Sequence, residues 1–137
     1  MRLPLANPTL VSARVEGPLG FVREVSSVLD FNSPYCVILR VDAVDLGYPH
    51  AANRHVEEER HRPDRVLTFT SLQGIQRGIL VKLRRVSVGR AVATDVDAVV
   101  LELSHPRFLT YDFILGYSFL KNFRVTFDAK KGHISLL

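Results

Sequence analysis

The sequence has one cysteine and no tryptophan among its 137 residues. Since Cys36 stands alone, no internal disulfide can form, and nothing argues for secretion. It lies in an apolar run, where a free thiol is usually a small buried hydrophobe. The amino-terminal MRLPLANP is interrupted by prolines and lacks the apolar core of a signal peptide. No apolar run approaches the roughly 20 residues of a membrane span, so we predict a cytoplasmic protein without membrane contact.

Strong charge of one sign is also missing, because 18 basic and 14 acidic residues leave a formal net charge of +4. The densest charged stretch, residues 55–65, mixes both signs and is typical of a solvated loop. Lys82, Arg84 and Arg85 form the nearest thing to a basic cluster, but no aromatic residues alternate with them as in single-strand nucleic-acid binders. We therefore expect no nucleic-acid partner.

The sequence also offers few ingredients for a cofactor or metal site. His55, Glu58 and His61 could be imagined as metal ligands, but they lie in the charged loop without cysteine support, so a solvated surface is the better interpretation. No glycine-rich phosphate loop and no serine nucleophile elbow are present. We predict neither a metal nor a cofactor.

The apolar pattern predicts one domain, residues 1–137, built from short strands. Two short stretches, 41–46 and 117–123, have helical spacing. An irregular insertion covers about 47–64, and a glycine-bounded hairpin tip at 71–78 lies within a candidate flap at about 66–83. The predicted strands are 9–15, 21–29, 35–39, 66–70, 79–83, 86–88, 91–103, 113–116, 124–128 and 133–137. Short strands at this spacing predict an all-β closed or sandwiched structure.

One stretch, VLDFNSPYCVI at residues 28–38, carries a lone carboxylate at the end of an apolar strand. Burying a charge there is costly unless the charge is paired or used. Asp30 is therefore the main candidate functional residue. The alternative is that Asp30 merely caps the following turn, since Asx-turns are common after strands. Asp112, before a second apolar strand, is a further carboxylate candidate, and Asp128 is most simply a turn residue.

Three blocks together resemble the retropepsin-like aspartic proteases, the single-domain relatives of pepsin that work as homodimers. VLDFNSPYCVI followed by DAVDLGY is similar to the family's apolar strand, Asp-Thr-Gly-Ser/Ala loop, second strand and short helix ending in Leu-Gly. The hairpin around Gly74 lies where the family has its flap. DFILGYSFLKNFRVTFDAKKGHISL is similar to the family's hydrophobic-hydrophobic-Gly element, Phe-Leu helix and closing hairpin.

This resemblance implies a closed acid-protease barrel with two short helices, acting as a homodimer on a peptide or protein substrate. Asp30 from each subunit would form the catalytic pair, and Ser33 would hydrogen-bond and orient the carboxylate. Residues Leu72, Gln73, Gly74 and Ile75 would form the flap tip, and Ile114, Leu115 and Gly116 would support the site.

The loop departs from the family pattern in its centre, where Phe31 and Asn32 replace threonine and glycine. Phe31 lacks the hydroxyl that hydrogen-bonds across the family's dimer. Asn32 tolerates left-handed backbone angles better than most residues, but its side chain fills space near the substrate. Two alternatives to a protease therefore stand. One is a catalytically silent dimerisation or peptide-binding module of the same fold, and the other is a monomeric β-barrel binding domain.

Overall fold

The computed structural model describes residues 1–6, 8–48, 66–71, 74–101 and 111–137. Within these residues it contains ten strands and two helices. They are β1 (Arg2–Pro4), β2 (Leu10–Glu16), β3 (Val22–Leu29), β4 (Cys36–Leu39), α1 (Arg40–Asp45), β5 (Val66–Ser71), β6 (Gly74–Val88), β7 (Ala91–Leu101), β8 (Phe113–Leu115), α2 (Tyr117–Leu120), β9 (Val125–Asp128) and β10 (His133–Leu136). In this part of the chain, the helices lack the length and apolar composition of a membrane span.

The larger sheet closes on itself as a six-stranded barrel. Its strands follow the order β2, β3, β8, β4, β7 and β6, and β6 returns to pair with β2. The 15-residue β6 can do this because its early part pairs with β5 and β7, while its end pairs with both β7 and β2. Val15, Ile38, Leu83 and Phe113 are almost fully buried inside. The predicted closed all-β architecture is therefore confirmed.

Two pairs of strands in the barrel run parallel, and they position the loop at Asp30. β3 lies parallel to β8, and β4 lies parallel to β7. β8 itself is antiparallel to β4 and lies between β3 and β4. The end of β7 is buried on both faces, since residues 98–101 are all buried.

The sequence divided β6 wrongly. It predicted separate strands at 79–83 and 86–88, whereas one strand spans both. Arg84 and Arg85 are both exposed, so the alternation of buried and exposed side chains along β6 shifts by one residue there. Opposite this point on β7 lies Asp95, whose φ is 53°. The predicted hairpin tip at 71–78 was also too wide, because Ser71 already pairs with Gly74.

Helix and turn predictions held with small shifts. α1 covers Arg40–Asp45. Gly47 follows it with a φ of 96° and donates its N–H to the carbonyl of Val44, as is typical of a glycine that ends a helix. α2 is shorter than predicted and ends at Leu120. Asp128 is a turn residue, since its Oδ1 accepts a 2.9 Å bond from the Lys131 N–H.

A second, three-stranded sheet lies outside the barrel closure and has the order β1-β10-β9. β1 was not predicted, because three residues ending in proline carry no strand pattern of their own. Its pairing with β10, which joins Leu3 to Ile134, defines it. Both of these residues are buried in the main core.

Candidate active site

Asp30 stands at the carboxyl end of β3, and a distant strand fixes its backbone. The Asp30 N–H donates to the carbonyl of Leu115 at 3.1 Å. This bond continues the parallel pairing of Leu29 with Leu115. The position of the loop therefore depends on β8 and not only on the residues around Asp30.

The Asp30 carboxylate is held by the loop's own backbone. Its Oδ1 accepts a 2.9 Å hydrogen bond from the Asn32 N–H, which is the Asx-turn arrangement that the sequence left open as the alternative. The Asp30 side chain is partly exposed, and Oδ2 has no partner among the described residues. One oxygen is thus oriented while the other is accessible.

Ser33 does not orient the carboxylate, and this prediction was wrong. Its hydroxyl donates to the carbonyl of Tyr35 at 2.7 Å, within the same loop. Ser33 is buried, and its own carbonyl accepts a 2.8 Å bond from the Tyr117 N–H at the start of α2. The carbonyl of Ser33 therefore braces the turn against α2. The hydroxyl of Ser33 bonds to Tyr35 because the tight turn directs it at that nearer backbone carbonyl.

Gly116 lies against this loop without room for a side chain. A Cβ placed there would overlap the carbonyl oxygen of Tyr35 and come within 2.8 Å of the carbonyl oxygen of Ser33. The close approach of two backbone segments therefore requires glycine. Of the two residues before it, Leu115 is fully buried, and Ile114 packs against Val37 and its apolar neighbours.

Behind the loop, Ser118 joins two backbone segments. Its Oγ accepts a 2.9 Å bond from the Cys36 N–H and donates a 2.6 Å bond to the carbonyl of Asp97. Cys36 is completely buried, and burial raises the pKa of its thiol, so it is the inert hydrophobe that the sequence predicted. Sequence reasoning missed Ser118, since no motif marks a buried hydroxyl within a helix.

An aromatic pair lies on the exposed side of the loop. The rings of Phe31 and Phe127 are 5.1 Å apart between centroids, with an interplanar angle of 53°. Both are well exposed, at 45% for Phe31 and 56% for Phe127. Phe127 lies on β9, so Phe31 connects the Asp30 loop to the three-stranded sheet. The aromatic content of 122–127 could have suggested a contact, but not its partner.

An ion-pair cluster ties β3 to α1. Arg23 Nε lies 2.6 Å from Asp42 Oδ1, and its Nη1 lies 2.5 Å from Asp45 Oδ2. Asp42 is buried, and this burial raises the pKa of its carboxyl despite the opposing charge of Arg23. The contact fixes the helix beside the strand that leads to Asp30.

Asp112 is not brought to Asp30 within one chain. It precedes β8, whereas Asp30 lies beside the other end of that strand, about 10 Å away at ~3.3 Å per residue. Asp112 is exposed, and its N–H donates to the carbonyl of Ser26 at 2.7 Å. Asp112 therefore does not pair with Asp30 in the described chain.

Only part of the predicted flap lies within the described residues. Gly74 and Ile75 open β6 and pair with Ser71 and Thr70 of β5, so the two strands form a hairpin. Leu72 and Gln73 lie outside the described residues. So do His55, Glu58, His61 and most of the predicted insertion at 47–64. Across the described ranges, no three or more His, Cys, Asp or Glu side chains are grouped to hold a metal ion.

Comparison with solved structures identifies the fold. The chain is similar to the crystal structure of a retropepsin-like aspartic protease from Rickettsia conorii, with a TM-score of 0.62 over 99% of this chain and 88% of that chain. Sequence identity is 14%, so the comparison establishes the fold alone. No family model matches the chain, and the search of curated proteins found no relative. The chain has the retropepsin-like closed barrel.

Proposed function

We propose that this chain is an aspartic endopeptidase that acts as a homodimer, with Asp30 of each copy in one shared site. The observation that carries the proposal is the placement of Asp30 at the end of β3 in a retropepsin-like barrel. Its backbone is anchored on Leu115, and one carboxylate oxygen is oriented by the Asn32 N–H.

The chemistry explains why two copies are needed. Peptide hydrolysis without a metal or covalent intermediate needs a base that activates water and an acid that protonates the leaving amide nitrogen. Two adjacent carboxylates supply both, because like charges so close cannot both ionise and one proton is shared. The ionised carboxylate takes a proton from a water molecule while that water attacks the carbonyl carbon of the substrate. The protonated carboxyl group donates its proton to the leaving amide nitrogen. A two-fold axis near Asp30 places it beside its own copy.

Substrate access in this proposal depends on the β5–β6 hairpin. Its tip, with Leu72, Gln73, Gly74 and Ile75, would cover a bound peptide and exclude water during the reaction. The substrate in this proposal is a peptide or protein.

A second candidate function is a catalytically silent module of the same fold that dimerises or binds peptide. Two observations favour it. Phe31 packs on Phe127 and carries no hydroxyl, and the Ser33 hydroxyl bonds to Tyr35 and not to the carboxylate. The Asp30 loop therefore has fewer hydrogen bonds to its carboxylate than the resemblance implied.

The deciding experiment is Asp30→Asn, assayed on peptide libraries at acidic and neutral pH. Asparagine keeps the Oδ1 acceptor for the Asn32 N–H, so folding stays intact, while the shared proton is lost. We expect cleavage to fall by about 10³-fold, in the range of lost acid–base catalysis. A statine-type transition-state mimic should inhibit the wild type.

The matched control is Asp112→Asn, an exposed carboxylate at the far end of β8, which should leave cleavage unchanged. Wild-type protein that cuts no library peptide would reject the protease and favour the silent module. A monomer at high concentration in sedimentation would favour the third possibility, the monomeric binding domain.

A further inference from the structure

A surface cavity of about 370 Å³ lies on the outer face of the barrel, where β2 closes against β6. Residues from four neighbouring strands line it: Arg14 and Glu16 on β2, Val22 on β3, Arg85 and Ser87 on β6, and Val92 on β7. Val22 is the first residue of β3, whereas Asp30 follows the last residue of that strand. The cavity is therefore separate from the candidate active site.

The strand register places four of these side chains at the corners of a square. Arg14 lies opposite Ser87, and Glu16 lies opposite Arg85. The two arginines therefore occupy one diagonal of the square, with Cα atoms roughly 7–8 Å apart. Because arginine side chains are long, both guanidinium groups can reach the space above the centre of the square.

The ion pairs of this surface leave both arginines of the square without an anionic partner. Glu16 is the one carboxylate in the lining, and its Oε2 lies 3.3 Å from the Nε of Arg84, which is outside the lining. Among the described residues, neither Arg14 nor Arg85 forms an ion pair within 4 Å. Glu24, opposite Arg14 on β3, is exposed and does not line the cavity. The cavity therefore has two positive charges that the protein does not neutralise.

Two unpaired guanidinium groups that share one space suit a phosphate group. Each presents N–H donors in a fixed fork that matches the spacing of phosphate or carboxylate oxygens. The Ser87 hydroxyl is half-buried and has no hydrogen-bond partner among the described residues, so it adds a further donor. A phosphate monoester carries a charge of about −1.5 to −2 near neutral pH, which balances two arginines, whereas a single carboxylate balances one.

The remaining lining residues are apolar and indicate a ligand with an organic part. Val22 lies beside Glu16 on β3, and Val92 lies beside Ser87 on β7, so one valine stands at each side of the square. Their side chains are 42% and 48% exposed and would lose apolar surface to water on contact with a carbon group. The cavity volume also falls in the roughly 300–1,000 Å³ range of small-molecule sites.

We propose that this cavity binds a small phosphate monoester that carries an apolar or aromatic group. Arg14 and Arg85 hold the phosphate oxygens, and the Ser87 hydroxyl donates a further hydrogen bond. Val22 and Val92 contact the organic part. The proposal goes beyond the proposed function and does not depend on it, because no residue of the candidate active site takes part.

Isothermal titration calorimetry of the full chain tests the ligand class, with phenyl phosphate as the probe. We expect one saturable site per chain, binding of inorganic phosphate that is weaker by about tenfold, and no binding of phenol. Affinity should fall as salt is raised, since salt screens exposed charges. Absence of phenyl phosphate binding at about 10 mM, or phenol or inorganic phosphate binding as tightly as phenyl phosphate, would overturn the proposal.

Arg14→Gln and Arg85→Gln test the two guanidinium groups. Each removes a charge-assisted hydrogen-bond donor, so the dissociation constant for phenyl phosphate should rise by about tenfold or more. The matched control is Arg124→Gln, since Arg124 is exposed just before β9 and does not line the cavity. It should leave the dissociation constant unchanged. Binding that neither cavity variant weakens would reject the site.

Glu16→Gln changes the affinity in the opposite direction. It removes the carboxylate of the lining at nearly constant size, and with it the repulsion of a bound phosphate. We expect phenyl phosphate to bind about threefold tighter or better, a gain that a merely disturbed surface would not produce. Weaker binding in this variant would contradict the assignment.

Val92→Ser separates the organic part of the ligand from its phosphate. We expect the affinity for phenyl phosphate to fall by about threefold, because apolar contact area is lost, while the affinity for inorganic phosphate stays the same. Equal losses for both ligands, or no loss for either, would show that Val92 does not contact an organic group and would overturn that part of the proposal.

Discussion

The Asp30 loop has a buried back and an exposed front, and the two sides are constrained very differently. At the back, Ser33, Gly116 and Ser118 are buried among backbone groups that they bond or touch at close range. At the front, Phe31 and Asn32 are exposed. The back depends on atoms of the same chain, so its residues are dictated by the fold. The front is less constrained, since Phe31 contacts Phe127 at the surface and both rings stay well exposed.

The largest expected effect comes from adding one carbon at the back. Gly116→Ala places a Cβ against the carbonyl oxygens of Tyr35 and Ser33, and two backbone segments would have to separate. We expect the free energy of unfolding to fall by about 3 kcal/mol, measured by chemical denaturation.

The matched control is Gly20→Ala, where φ is 88° and, among the described residues, no atom beyond the adjacent chain lies within 4 Å of the added Cβ. Only backbone strain remains there, and the cost should be near 1 kcal/mol. Similar losses in the two variants would mean that the back of the loop is not closely packed.

A middle-sized effect is expected for Ser118→Ala. It leaves the Cys36 N–H and the Asp97 carbonyl without their shared partner. A buried unsatisfied group costs roughly 1–3 kcal/mol, so thermal and denaturant unfolding should show a loss of about 2 kcal/mol. Ser12→Ala on the exposed side of β2 should change stability by less than about 0.5 kcal/mol. A Ser118→Ala protein as stable as wild type would contradict the bracing role.

The smallest effect is expected at the front. A double-mutant cycle of Phe31→Ala and Phe127→Ala measures the coupling of the two rings, which lie 5.1 Å apart. Aromatic pairs contribute about 0.5–1.5 kcal/mol beyond burial, and this exposed pair should fall near the lower value under monomeric conditions. Coupling as large as the Ser118→Ala loss would erase the distinction between front and back.

Sequence reasoning recovered the features that local patterns encode. Alternation predicted most of the barrel strands, and helical spacing at 41–46 and 117–123 predicted the two short helices. It missed the features that depend on contacts distant in sequence. β1 exists only through β10, the Ser118 hydroxyl bridges segments from two other strands, and Phe127 meets Phe31 only in the folded chain. It also misassigned the Ser33 hydroxyl, because the turn geometry that aims it at Tyr35 leaves no trace in residue order.

The bond from the Asp30 N–H to Leu115 also has a consequence for how the protein is made. Asp30 directly follows β3 and Leu115 ends β8, so the two residues lie far apart in the chain, and a ribosome releases Leu115 long after Asp30. Closing so long a stretch costs entropy before any contact forms, which places such pairings late in folding. The turn at Asp30 therefore takes its final position only when nearly the whole domain has been synthesised, and a truncated chain would contain Asp30 without the bond to Leu115 that anchors this turn.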